Sequence, residues 1–248
     1  MVECGQLVTS SIDVIVDSDD ASLMRYPGGK GKCYQRLINL MPVHGTYIEC
    51  HLGGGAVMRH KKPAATNIGI DRNEQVIQRW RSEWADACDL VTGDAVAFLQ
   101  SFAFKGDELI YADPPYVRST RRSPCKLYRH ELDDADHIRL LDVLASLPCM
   151  VMISGYDSQL YRKTLQSWRR VTFQAKTHTD LREESVWLNF DPPSQLHDGR
   201  FLGRTFRERQ SVKRRHQRWI DRLDGMAPAE RGHLLDLIRE RYAQEVAP

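Results

Sequence analysis

The chain lacks any close pair of cysteines. Its six, Cys4, Cys33, Cys50, Cys88, Cys125 and Cys149, are scattered without one C-x-x-C. That argues against a zinc site or a disulfide scaffold and for free thiols in a reducing cytoplasm. Nor does it contain His and Cys residues at metal-ligand spacing, so no metal is expected. No apolar run approaches the ~20 residues of a membrane span, so no membrane partner is expected. The first residues are not expected to act as a secretory signal: residues 13–20 read "DVIVDSDD", acidic where a signal is basic and then apolar. Residues 1–22 therefore read as a loose arm. Internal repeats are absent. Net charge is small, +2 over 248 residues, but it hides an asymmetry. Arg204, Arg207, Arg209, Lys213, Arg214, Arg215, Arg218 and Arg222 face only two acids, Glu208 and Asp221, in the same stretch. A local basic patch of this kind points to a polyanionic partner.

What is present is ordinary for a globular chain, with 42% hydrophobic and 27% charged residues. Short apolar runs alternate with helical patterns. "YIEC" (47–50), "NIGID" (67–71), "DLVTGD" (89–94), "ELIYAD" (108–113), "CMVMIS" (149–154), "RRVTFQAK" (169–176) and "SVWLNF" (185–190) read as seven strands. Helices are expected in "GKCYQRLINLM", from Ala56, through "RNEQVIQRWRSEW", after Asp133 or Asp134, and in "SQLYRKTLQS". The alternation predicts an α/β fold with a mostly parallel sheet and helices on both faces. "DPPSQLHDGR" (191–200) reads as a linker. Two helices then form a basic hairpin, the second starting at Pro228. The expected division is an arm over 1–22, a catalytic domain over 23–200 and a helical extension over 201–248.

Four of the strands end on or near an acid: Glu49, Asp71, Asp94 and Asp113. Open α/β sheets bind ligands beyond the carboxyl ends of their strands. Gly53, Gly54 and Gly55 follow the first strand and let backbone approach a ligand closely. Asp71 lies sixteen residues after Gly55, close to where a βαβ unit places the acid that holds a ribose hydroxyl pair. This combination points to a nucleoside-containing cofactor. After the fourth strand stands "DPPY". Pro114 and Pro115 lock the backbone and remove two amide donors. The Asp113 carboxylate and the Pro114 carbonyl then offer two fixed acceptors, which suit an –NH₂ group. Tyr116 adds a flat face on which a base can stack.

"YIECHLGGGAV", "GIDRN", "TGD" and "YADPPY" in this order, preceded by "RYPGGKGK" (25–32), resemble the Dam-type DNA adenine amino-methyltransferases. The resemblance runs from Arg25 to Phe190 and implies a Rossmann-like class I methyltransferase fold. It implies transfer of the methyl of S-adenosylmethionine, leaving S-adenosylhomocysteine, to the exocyclic amine of adenine flipped out of DNA. Carried over, it assigns Tyr26 and Lys30 to the methionine end of the cofactor and Glu49, Gly53 and Gly55 to the cofactor turn. Asp71 takes the ribose, Asp94 the cofactor's adenine, and Asp113 to Tyr116 the target base, with Asp113 also near the cofactor. Where the family has Pro and an aromatic after the motif glutamate, this chain has Cys50 and His51.

Only nineteen positions separate Asp94 from Asp113, too few for the target-recognition domain usual there. Nucleic-acid contact is assigned instead to Arg118, Arg121, Arg122, Lys126 and Arg129 beside the motif, and to Lys213, Arg214, Arg215 and Arg218 of the first carboxyl-terminal helix. Phosphate contacts carry little sequence information, so short or relaxed specificity is expected. An RNA adenine methyltransferase and a non-catalytic nucleic-acid-binding subunit remain alternatives, and amino-methylation of cytosine or of a glutamine amide is a weaker one. The chain is expected to be a monomer or weak dimer, with or without a restriction partner.

Overall fold

Strands buried on both faces should be mostly apolar, and the central ones of this chain are, with Glu49 and Glu108 as buried exceptions. The computed structural model describes residues 30–31, 33–121, 129–176 and 181–243. The amino-terminal arm, Tyr26, Arg122 and Lys126 lie outside them. Seven strands form one sheet: β1 (Thr46–Cys50), β2 (Thr66–Asp71), β3 (Asp89–Thr92), β4 (Glu108–Ala112), β5 (Met150–Gly155), β6 (Arg169–Lys176) and β7 (Leu181–Leu188). Their order is β3-β2-β1-β4-β5-β7-β6. The first five pair in parallel, whereas β7 is antiparallel to both β5 and β6. This is the Rossmann-like arrangement expected for a class I methyltransferase, closed at one edge by a hairpin.

Alternate strand residues feed two cores. One face carries Ile48, Ile70, Ile110, Val151 and Trp187, all buried. Helices α4 (Ala95–Ser101), α5 (Asp134–Ser146) and α6 (Gln159–Thr164) cover it with Leu99, Leu140, Leu144 and Tyr161. The other face carries Tyr47, Leu109, Tyr111, Met152 and Val186. It is covered by α1 (Tyr34–Ile38), α2 (Ala56–His60) and α3 (Glu74–Glu83), through Leu37, Val57, Ile77 and Trp80. The helix starts use side chains that satisfy orphan backbone donors. Asn73 caps α3, Asp94 caps α4, and Asp133 with Asp136 forms a capping box on α5.

The direction in which strands are added to the sheet reverses between β1 and β4, which are themselves parallel. From β1 the sheet grows outward to β2 and β3; from β4 it grows the other way to β5. Cys50 of β1 is level with Ala112 of β4, and the Asp113 N–H donates to the Cys50 carbonyl at 3.3 Å. Glu49 and Asp113 therefore emerge side by side at the switch point, where such sheets open a crevice.

The stretch expected to be a linker is more closely attached than its composition suggests. Leu196 bridges to Pro42, His197 stacks on His44 at 3.8 Å, and buried Asp198 accepts from the Lys62 N–H at 2.9 Å. Beyond it, α7 (Phe206–Asp224) and α8 (Pro228–Arg241) bury none of their residues. Phe206, Trp219, Ile220, Leu237 and Ile238 stay exposed. Among the described residues, no helix is long and apolar enough to cross a membrane. A chain ended after Arg204 should therefore keep its fold. Its melting temperature should move by no more than ~4 °C, the shift that ~1 kcal/mol produces in a domain of this size, as read by calorimetry.

Candidate active site

At one end of the crevice the glycine turn is built by long-range contacts. Gly53 and Gly55 have φ of 48° and 53°, the left-handed region that glycine enters without strain. The Gly53 N–H donates to Asp71 Oδ2 at 2.9 Å. Trp80 of α3 donates its indole N–H to the Gly53 carbonyl at 3.0 Å. A Cβ on Gly55 would lie 2.0 Å from the Trp80 ring, so only glycine fits. Asp71 also accepts from the Asn73 N–H at 2.8 Å. Burial raises its pKa, and the two backbone donors oppose that rise. The carboxylate thus shapes the turn while lining the same pocket as Gly53, Gly54 and Gly55.

His51 stands just before the turn, with φ of 63°. Its Nδ1 is buried with no hydrogen-bond partner among the described residues. Burial, with Arg72 next in effect, lowers its pKa to about 4, so the ring is neutral at pH 7. It lines both the main crevice and a smaller one formed with Arg72, Asp94 and Leu132.

At the other end stand Asp113, Pro114, Pro115 and Tyr116, lining the pocket with Lys30 and Glu49. The Lys30 ammonium is buried, donating to Asp113 Oδ1 at 2.7 Å and to the Tyr116 hydroxyl at 2.6 Å. Burial alone would lower its pKa, but the Asp113 and Glu184 carboxylates outweigh burial and raise it, so the lysine is charged. Asp113 is itself raised by burial, with Lys30 opposing. The Tyr116 ring is buried and meets Tyr156 edge-on, with centroids 4.5 Å apart. Glu49 accepts from the Tyr47 hydroxyl at 3.0 Å, and burial pushes its pKa up to about 8.

The assigned residues divide in their placement. Lys30, Glu49, Gly53, Gly55, Asp71 and Asp113 to Tyr116 come together around one pocket. Lys30, assigned to the methionine end of a cofactor, is bonded to the DPPY carboxylate. Asp94 lines only the smaller crevice. One of its oxygens caps Ala97 and the other accepts from Arg72 and, at 3.4 Å, from Arg139. Those donors outweigh burial and lower its pKa. Arg118 is exposed, and exposed Arg129 lines the pocket mouth with His130. Arg121, assigned to a nucleic-acid surface, is placed differently from Arg118 and Arg129. It is largely buried, paired with Glu131 at 2.7 Å and donating to the Tyr116 carbonyl at 2.6 Å. It braces the DPPY loop from within. Lys213, Arg214, Arg215 and Arg218 are all exposed on α7. Sequence reasoning missed Trp80, Arg72 and Glu184, whose partners are distant in the chain. Among the described residues, no cluster of His, Cys, Asp and Glu could hold a metal ion.

Residues 83–182 match the family model of the D12 class N6 adenine-specific DNA methyltransferases. The match bears out the resemblance to the Dam-type enzymes, and over that stretch the chain is similar to methyltransferases. No curated protein matches the chain in sequence. Among solved structures it is similar to the N-methyltransferase NodS from Bradyrhizobium japonicum WM9, at 13% identity and TM-score 0.46, over 64% of this chain and 94% of that one. The 23S rRNA methyltransferase ErmE matches at 9% identity and TM-score 0.43, over 73% and 81%. The magnesium protoporphyrin IX methyltransferase ChlM from Synechocystis PCC 6803 with bound SAM matches at 11% and 0.41, over 63% and 80%.

The pocket's charge makes stability depend on pH. The Glu49 pKa of about 8 lies above its ordinary 4.5. Between those values the folded protein holds a proton that the unfolded chain has released, so stability falls as pH rises through the window. Glu49→Gln, uncharged throughout, should flatten that fall. Urea midpoints measured from pH 5 to pH 8 check it.

Proposed function

We propose that this chain, matched over residues 83–182 to the D12 class of adenine methyltransferases, methylates the exocyclic amine of adenine in DNA, using S-adenosylmethionine. The observation that carries the reading is one pocket with two ends: a glycine turn bound to Asp71 at one, and the Asp113–Tyr116 cluster at the other. The pocket's donor set fits the cofactor. Gly53 to Gly55 give close backbone approach, Asp71 offers carboxylate oxygens to a ribose, and the unpartnered His51 Nδ1 is a spare polar contact. When bound, S-adenosylmethionine supplies an electrophilic methyl group on a sulfonium.

The remaining work falls to the protein. The adenine amine is a poor nucleophile because its lone pair is delocalised into the ring. Asp113 and the Pro114 carbonyl would accept hydrogen bonds from its two N–H groups and favour a pyramidal nitrogen with the lone pair aimed away from them. Such contacts strengthen towards the transition state, which is what accelerates a reaction. Arg121, anchored by Glu131, holds the backbone that presents these acceptors. Holding the amine in line with its reaction partner supplies the rest. In duplex DNA the amine is stacked, so the base must be flipped into the pocket. Exposed Arg118 and Arg129 at the mouth, and the basic face of α7, suit phosphate contacts. With no recognition domain between Asp94 and Asp113, specificity is short or relaxed.

The direct experiment measures methyl transfer from labelled S-adenosylmethionine to matched DNA and RNA oligonucleotides. Labelled N6-methyladenine in DNA is expected. Transfer to RNA alone would move the substrate, and transfer to neither would end the reading. Asp113→Ala should lower turnover by about 10³-fold or more while cofactor affinity changes by only a few-fold, as read by calorimetry. Changing Lys213, Arg214, Arg215 and Arg218 together to Glu tests α7. DNA binding should weaken on all sequences alike, and the log–log salt slope should drop by about 0.9 per lost phosphate contact.

A further inference from the structure

Glu184 does not line the pocket, and no motif marks it. It stands on β7 opposite Phe173 of β6, one residue before Ser185, which pairs with Gly155 at the end of β5. Because β7 runs against the parallel strands, its first half lies at their carboxyl ends, beside the crevice. There Glu184 is 9% exposed, and its Oε2 sits 4.0 Å from Lys30 Nζ. That oxygen has no hydrogen-bond partner among the described residues. The same ammonium donates to Asp113 Oδ1 at 2.7 Å. A buried carboxylate with an unused acceptor is costly to keep. The cost is understandable if Lys30 uses that acceptor at another stage.

We propose that Glu184 is the alternate anchor of Lys30, a positioning residue that takes the ammonium from Asp113 when an amino-bearing base enters the pocket. The inference rests on the reading of the pocket as an amino-methylation site. In the structure Lys30 occupies Asp113 Oδ1, on the carboxylate that an incoming amine needs. A displacement of Nζ by about 1 Å brings Glu184 within hydrogen-bond range. The ion pair then stays buried and complete. Without the Glu184 charge, freeing Asp113 would leave a buried ammonium unpaired, which is strongly unfavourable.

The other groups near Glu184 do not take this role. Tyr116 and Cys33 bring no positive charge. Arg182, on the same strand, donates to the Thr120 carbonyl at 2.7 Å and lies over the Tyr156 ring at 3.9 Å. Lys30 is the cation placed between the two carboxylates.

Glu184→Gln keeps the shape and removes the charge. It should leave the S-adenosylmethionine dissociation constant within about 2-fold in calorimetry and lower single-turnover methylation by about 10-fold or more. In a Lys30→Met background, where no ammonium needs an anchor, the same change should cost less than about 2-fold. A penalty that persists undiminished in that background would overturn the proposal, as would an unchanged rate in the single variant. The second readout needs no catalysis. The Nζ resonance of Lys30 is followed while a single-stranded, adenine-containing DNA oligonucleotide is added to the S-adenosylhomocysteine complex. It should shift in the wild-type protein and not in Glu184→Gln. A wild-type resonance that stays put at saturation sinks the anchor. A resonance that shifts as expected, in a protein that methylates neither DNA nor RNA, upholds the anchor and defeats the amino-methylation reading instead.

Discussion

One buried ammonium joins three parts of the chain that are far apart in sequence. Lys30 precedes the first helix, Asp113 and Tyr116 follow β4, and Glu184 belongs to the antiparallel β7. A charge in that position is tolerable only while carboxylates surround it. Its pairing with Asp113 fixes how the DPPY loop meets the sheet. The loop's backbone is held from the other side by Arg121, itself paired with Glu131. The loop is therefore clamped by two buried ion pairs, one on the pocket side and one behind it. The cluster sits at the switch point of the sheet, so the crevice and the buried charges coincide.

The two ends of the pocket obey different physics. The glycine turn is a matter of shape: positive φ, an indole N–H on a carbonyl, and no room for a Cβ beside Trp80. The charges there are already engaged: two backbone amides hold Asp71, and the Arg59 guanidinium donates to the Gly54 carbonyl at 3.1 Å. The DPPY end is a matter of electrostatics. Burial raises Glu49, Asp113 and Glu184 alike, and Lys30 between Asp113 and Glu184 is held charged. A rigid cradle beside a charge-rich corner suits a reaction in which one partner is held by shape and the other is activated by acceptors. The basic α7 helix lies outside this economy, solvated along its whole length.

Much of this was legible in the chain. The seven runs read as strands became seven strands, and the central β4 and β5 are buried along nearly their whole length, which requires apolar residues whatever covers them. The acids at the ends of β1, β2 and β4, with the glycines after β1, marked one crevice because position along a parallel strand translates directly into position in the sheet. The run "DPPY" announced two fixed acceptors through local backbone chemistry alone. Pairings between distant residues were not legible. Arg121 looks like a surface base in "VRSTRRS" but finds Glu131 inside the protein. Asp94 looks like a ligand acid, but Arg72 and Arg139 hold it. Glu184 sits in "LREESVWL", where nothing local distinguishes it from a solvated acid at the start of a strand. Local sequence determines propensity, burial pattern and turn chemistry. Which charge meets which is decided only when the sheet closes, because an ion pair depends on separation in space and burial, and neither is a property of neighbouring letters.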